Sequence, residues 1–244
     1  MAQHFTDFSE YTLGEIPADW PVEWGLIERA IVAGNPEAGS GQSLFLEHQG
    51  SSFSRNAVSW GVPVDAAVMS VSTRFISDYK ASTVDDGIVS PVLCGRGTQS
   101  TRSGYYVFIR GSGALDLRRA NNGSISTVAS VSTFIPELLQ VDLSVDFSIN
   151  AVGEIKAYIW LTGDSKPTTP TLSYTDASPL PAGWAGFLDL SNVNHDGTNL
   201  YYFGVGTDGD PAPTTPVSAN PNTPINLGAT NILANSVRFT WEQG

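Results

Sequence analysis

The chain has 244 residues, 41% of them apolar, enough for one β-sandwich of about 200 residues and an appendage but not for two full-sized domains. Charged residues make up only 15%, well under the ~25% usual in globular domains, and the formal net charge of −12 argues against nucleic acid, whose binding needs clustered Lys and Arg. Cys94 is the single cysteine, so no intramolecular disulfide forms and folding in a reducing compartment is expected.

Met1-Ala2-Gln3-His4 lacks the charged and apolar regions of a signal peptide, and no apolar run approaches the ~20 residues that span a bilayer. Membrane insertion is therefore not expected. Strand candidates begin with Ala67 to Phe75. Ser82 to Gly97, with Asp85, Asp86 and Gly87, reads as a long surface loop suited to recognition. Tyr105 to Arg110, Ala114 to Arg119 and Ser124 to Val131 follow, separated by Gly-Ser and Asn-Asn-Gly punctuation. Pro136 to Leu139 suggests a short helical turn.

The clearest strand is Gln140 to Ile149, where Val141, Leu143, Val145, Phe147 and Ile149 alternate with Asp142, Ser144, Asp146 and Ser148, so one face is core and the other meets water. Asn150 to Gly153 supplies turn residues, and Glu154 to Leu161 completes a hairpin. Trp184 to Leu190 and Leu200 to Val205 are further strands. Many short strands without a sustained helical period select an all-β sandwich or barrel.

Composition changes after Thr207. The jelly-roll body is assigned to 1–207 and a Pro-rich extended linker to 208–224, with Pro211, Pro213, Pro216, Pro221 and Pro224. Residues 225–244 read as two short strands.

Three stretches resemble a family of phage tail and virion proteins that carry a concanavalin A-like, laminin-G-like jelly roll. They are Phe5-Thr6-Asp7-Phe8-Ser9-Glu10-Tyr11 with Gly14 and Pro17-Ala18-Asp19-Trp20; Ile155 to Leu161 with Gly163, Pro167, Gly183-Trp184 and Gly186-Phe187; and Tyr201-Tyr202-Phe203-Gly204-Val205-Gly206-Thr207 before Pro211-Ala212-Pro213. The resemblance implies a two-sheet antiparallel jelly roll whose N-terminal strand pairs near the C-terminal one. Pro224, Leu227, Ala229-Thr230, Ser236-Val237 and Phe239-Thr240-Trp241 are similar to the first strands of a fibronectin type III domain.

Glycoside hydrolases of jelly-roll type carry Glu-x-Asp-x-x-Glu on one strand, a motif this chain lacks. Asp142 and Asp146 lie roughly 13 Å apart on an extended strand, too far for glycoside cleavage, and read as solvating residues; Glu154 is a candidate neighbour of Asp146 across the hairpin. His4, His48 and His195 have no evident Ser or Cys partner, and neither a Gly-x-Ser-x-Gly elbow nor a phosphate-binding loop occurs. No catalytic residue is assigned, and the protein is expected not to be an enzyme.

Asp189, Asn192, Asn194 and Asp196, with Gly197, place oxygen-bearing side chains at alternate positions before a glycine, as calcium loops do. The same residues are ordinary turn formers, and Phe203 stands where an EF-hand would have its Glu. Calcium is the one cofactor considered. For glycans, Tyr79, Asp85, Asp86, Tyr105 and Tyr106 are the candidates, because aromatic faces stack on pyranose rings; the six tryptophans read mainly as packing residues. Arg96, Arg102, Arg110, Arg118 and Arg119 are either a contact patch or solvated strand faces.

The first functional expectation is a virion structural protein, present in several symmetric copies, binding other virion proteins and host-surface glycans, assembled in host cytoplasm and extracellular after lysis. The second is a carbohydrate-binding lectin module, and the third a polysaccharide-degrading enzyme.

Overall fold

The computed structural model describes residues 3–15, 17–20, 22–24, 30–47, 54–59, 68–79, 87–94, 103–110, 113–132, 141–191, 195–216, 226–233 and 236–242. Among these there is no helix, and two antiparallel sheets carry the architecture.

The first sheet contains β1 (Gln3–Thr6), β3 (Ala30–Gly34), β4 (Gln42–Glu47), β6 (Met69–Tyr79), β11 (Val141–Ile149), β12 (Glu154–Leu161), β13 (Leu172–Thr175) and β15 (His195–Thr207). Its order is β13-β12-β11-β6-β15-β4-β3, with β1 also on β15. The second has β2 (Val22–Trp24), β5 (Ser54–Ser59), β7 (Gly87–Cys94), β8 (Gly104–Arg110), β9 (Leu115–Asn121), β10 (Ser124–Val131) and β14 (Ala185–Ser191), ordered β10-β9-β8-β7-β14-β5-β2. The two strands expected after the Pro-rich stretch, β16 (Asn226–Leu233) and β17 (Ser236–Glu242), pair with each other.

The alternation that marks β11 in the sequence is realised in space. Leu143, Val145, Phe147 and Ile149 are buried, and in register they face Phe75, Thr73, Val71 and Met69 of β6. Across the interior, the Phe75 and Phe187 rings meet edge to face at 5.8 Å and join the two sheets. Phe8, Trp20 and Phe203 form a second aromatic stack, with centroids 5.6 and 5.4 Å apart. Each fully buried ring of this kind contributes roughly 1.5–3 kcal/mol from burial alone. The N-terminal strand does pair beside the C-terminal one: Gln3 sits opposite Gly206 and Thr6 opposite Phe203.

Local turn chemistry holds where the sequence signals it. Asn122 and Gly123 adopt φ of 50° and 82° between the paired residues Asn121 and Ser124, the geometry of a two-residue Asn-Gly hairpin turn.

One expectation needs correction. The stretch Ser82 to Gly97 is not one long loop: residues 87–94 form β7, in the middle of the second sheet between β8 and β14. Its apolar residues Ile88, Val89, Val92 and Leu93 satisfy an interior strand, and Pro91 is accommodated because the register with β8 shifts between Val89 and Val92, removing the need for a ladder donor there. The helical turn expected at 136–139 lies outside the described residues.

Arg110 and Arg118 are held by a carboxylate of their own sheet. Both donate to Oδ2 of Asp116, at 2.8 and 3.0 Å, and that carboxylate is 2% exposed. Arg119 is committed to Asp176 at 2.6 Å. Arg96 and Arg102 lie outside the described residues.

Candidate functional site: a cleft on the outer face of the first sheet

Polar residues of β11 point away from the core, and the strand register decides their neighbours. Asp146 lies opposite Tyr158 of β12 and Ser72 of β6; Ser148 lies opposite Lys156 and Ser70; Ser144 lies opposite Trp160 and Arg74. The next strand, β15, continues these rows with Gly204 beside Ser72 and Gly206 beside Ser70.

Those two glycines are occupied from above. A Cβ on Gly204 would overlap the carbonyl oxygen of Pro213, and one on Gly206 would overlap that of Asp210. Residues 208–213 therefore fold back as a strap against the sheet instead of leaving it as a free linker. Hydrogen bonds hold the strap in place: Ser70 Oγ donates to the Asp210 carbonyl at 2.7 Å, Gln3 Nε2 to the Pro211 carbonyl at 2.7 Å, and the Asp208 amide to the Val68 carbonyl at 3.0 Å. Alternate glycines in a strand signal such a close backbone approach.

Between this strap and the β12 side chains lies a cleft of about 350 Å³. Ser70, Asp146 and Ser148 line it from β6 and β11, Tyr158 and Lys166 from one side, and residues 209–212 from the other. Lys166 donates from Nζ to Asp146 Oδ2 and stands 4.8 Å from the centroid of the Tyr158 ring. Asp146 Oδ1 is buried and accepts no hydrogen bond. A desolvated carboxylate oxygen without a donor is costly. At the cleft's end Glu154 accepts from Lys156 at 2.8 Å and from Asn150 at 3.0 Å; the lysine holds this carboxyl below its usual range. Glu154 thus shares the cleft with Asp146 without facing it across the hairpin.

Beyond the cleft, the same face is tied down. Arg74 grips Asp142 through two bonds of 3.0 and 2.6 Å and lies 4.4 Å from the Tyr201 ring; the paired carboxylate pushes the arginine's pKa up. Burial and a 3.1 Å hydrogen bond to Glu37 push Tyr201 up to about 12. Asp142 and Asp146 thus have separate cationic partners and do not act as a pair.

The residues singled out from the sequence divide into three groups. Tyr105 and Tyr106 are fully buried and present no ring face to a glycan. β8 is an interior strand covered on both faces: Tyr105 donates from its hydroxyl to Asp176 at 2.6 Å, while Tyr106 packs in a small outer cluster with Phe108 and Ala120, flanked by Ile125 and Trp184. Tyr79, Asp189 and Asp196 lie in β6, β14 and β15. Asp85, Asp86, Asn192 and Asn194 lie outside the described residues. The flanking strands nevertheless end at one rim, since β6 ends at Tyr79, β7 begins at Gly87, β14 ends at Ser191 and β15 begins at His195, which is paired with Tyr79. The cleft lies at the other end of the sheet, beside Met69 and Ile149. Among the described residues no group of three or more His, Cys, Asp or Glu gathers as metal ligands.

The fold is shared with known structures. The exoplasmic/lumenal domain of VIP36, in a Ca2+/Man2-bound form, superposes with a TM-score of 0.56 at 12% identity, covering 85% of this chain and 88% of that one. Lectin I-B4 from Griffonia simplicifolia gives 0.55 at 10% identity, over 84% of this chain and 99% of that one. Arcelin-5, a lectin-like defence protein from Phaseolus vulgaris, gives 0.55 at 10%, over 83% and 97%. The chain has the concanavalin A-like jelly-roll fold. No protein-family model matches the sequence, and no curated protein matches it. At such identities the likeness is one of fold, and function has to be argued from the site.

Proposed function

We propose that the protein is a non-enzymatic carbohydrate-binding module and that a saccharide binds in the cleft at Asp146. The observation that carries this reading is the cleft itself, where the Asp146 carboxylate, its side chain 22% exposed, stands with Ser70, Ser148 and the Tyr158 ring in one concave lining. A carboxylate oxygen accepts from sugar hydroxyls, and an aromatic ring offers an apolar platform for a pyranose. A fold shared with lectins over more than four-fifths of each chain supports carbohydrate binding better than it supports the virion role first expected. That role, like the fibronectin type III likeness of 225–244, has the sequence resemblance alone behind it.

The test is a glycan array followed by calorimetry of the hits on the whole chain and on Asp146→Ala and Tyr158→Ala. Each substitution is expected to weaken the best glycan by about tenfold or more, the loss of one charge-assisted hydrogen bond or of one stacking contact. Full affinity in both variants would overturn the placement of the site in this cleft. No glycan binding at all would refute the proposal.

A further inference from the structure

We infer that Arg110 and Arg118 form a seat for an oxyanion on the outer face of the second sheet, fitted to the carboxylate or sulfate group of an acidic saccharide. Among the described ion pairs, Arg74, Arg119, Lys156 and Lys166 each have a carboxylate of their own, in Asp142, Asp176, Glu154 and Asp146. Arg110 and Arg118 instead share Asp116, so two guanidinium groups face one carboxylate and the cluster keeps a surplus positive charge. The seat is separate from the cleft, which lies on the other sheet; only its assignment to a saccharide rests on the carbohydrate-binding reading.

The geometry leaves donors for a ligand. Each arginine uses Nε and Nη2, and all four bonds, of 2.8 to 3.3 Å, end on the single oxygen Oδ2 of Asp116. Nη1 of each takes no part in them, and a guanidinium carries five N–H donors in a fixed fork. Asp116 is 2% exposed, whereas the Arg110 and Arg118 side chains are 34% and 18% exposed, so the surplus charge lies toward solvent. The Arg118 guanidinium is held flat, 3.5 Å over the Phe108 ring. The strand register sets the exposed Thr127 and Ser130 of β10 across from Arg118 and Asp116, which adds hydroxyl donors beside the pair. Such forks bind carboxylates and other oxyanions through charge-assisted, often bidentate bonds. The net charge of −12 repels dense polyanions such as nucleic acid. That leaves ligands with isolated acidic groups on a neutral frame, as uronic acids and sulfated sugars have.

Inorganic sulfate titrated into the whole protein, against chloride at matched ionic strength, tests the seat, with the Nε–H signals of Arg110 and Arg118 followed by NMR. Sulfate is expected to shift both signals saturably, and chloride to leave them in place. Arg110→Ala restores one cation to one carboxylate, and Thr127→Glu sets a competing carboxylate opposite Arg118 on the exposed edge strand β10. Each should weaken sulfate binding by about tenfold or more, the loss of a charge-assisted contact. An equal response to chloride, or full sulfate affinity in either variant once folded, overturns the seat. Glucuronate and glucose 6-sulfate should shift the same two signals and compete with sulfate, while glucose should do neither. Asp146→Ala should leave these responses unchanged, which keeps a failure of this seat distinct from a failure of the cleft. Sulfate binding without a response to either acidic sugar overturns the saccharide part, and an equal response to glucose overturns the charge argument.

Discussion

Substituting Gly206→Ala tests the strap directly. The new Cβ would overlap the Asp210 carbonyl oxygen and come within 2.7 Å of the Pro211 backbone, atoms that cannot rotate aside as a flexible side chain would. The strap must lift, and with it go the hydrogen bonds from Ser70 to Asp210 and from Gln3 to Pro211, at about 1 kcal/mol each. Alanine also gains ~0.5–1 kcal/mol over glycine inside a strand. Gly34→Ala in β3 supplies the control, because a Cβ there meets nothing within 4 Å. The two variants should therefore differ by about 2 kcal/mol in urea unfolding, with Gly206→Ala the less stable. Hydrogen exchange gives a local reading: the Asp208 and Asp210 amides, bonded to the Val68 and Thr207 carbonyls, should lose protection in Gly206→Ala and keep it in Gly34→Ala. Equal stability of the two variants, or unchanged protection of those amides, would refute the steric argument.

Other expectations concern the body of the sandwich. Asp176, almost fully buried, accepts from Tyr105, Arg119 and the Ser178 amide, so Asp176→Ala should cost about 3–5 kcal/mol in chemical denaturation by stranding the Arg119 charge. Burial alone would raise this carboxyl's pKa, but the hydrogen bonds from Tyr105, Ser178 and Arg119 outweigh it and lower the pKa. Its contribution to stability is thus complete above the ordinary carboxylate range and lost as pH falls through the lowered value; Asp176→Asn should flatten that acid limb of a stability-against-pH curve. Phe147→Ala, in the fully buried row of β11, should cost about 3–5 kcal/mol by opening a cavity, read as a fall in the urea midpoint. Tyr106→Phe should leave every glycan affinity unchanged, since the ring is buried in the outer cluster of the second sheet.

The period-two pattern of 141–149 and the turn residues after it disclosed β11, β12 and their hairpin, because alternation directly reports which side chains a strand buries. The Asn-Gly step likewise announced the β9–β10 turn. β7 is hidden because Asp85, Asp86 and Gly87 at its start read as loop, whereas a register shift against β8 admits Pro91 within the strand. Tyr105 and Tyr106 were misread for a related reason: an interior strand buried on both faces has no polar alternation to set it apart.

Beyond the hairpins, and the N- and C-terminal pairing that the family resemblance implies, which strands become neighbours was settled only by tertiary structure. Nothing local in 3–6 tells that chain to lie on 203–206, or places β6 between β11 and β15. Asp146 shows the same division. Its own strand assigns it to a polar face; Lys166, Tyr158 and the strap at 208–213 turn that position into a cleft. Alternation fixes the face a residue occupies because it depends on adjacent peptide units, while the partner across a sheet depends on register between segments far apart in the chain.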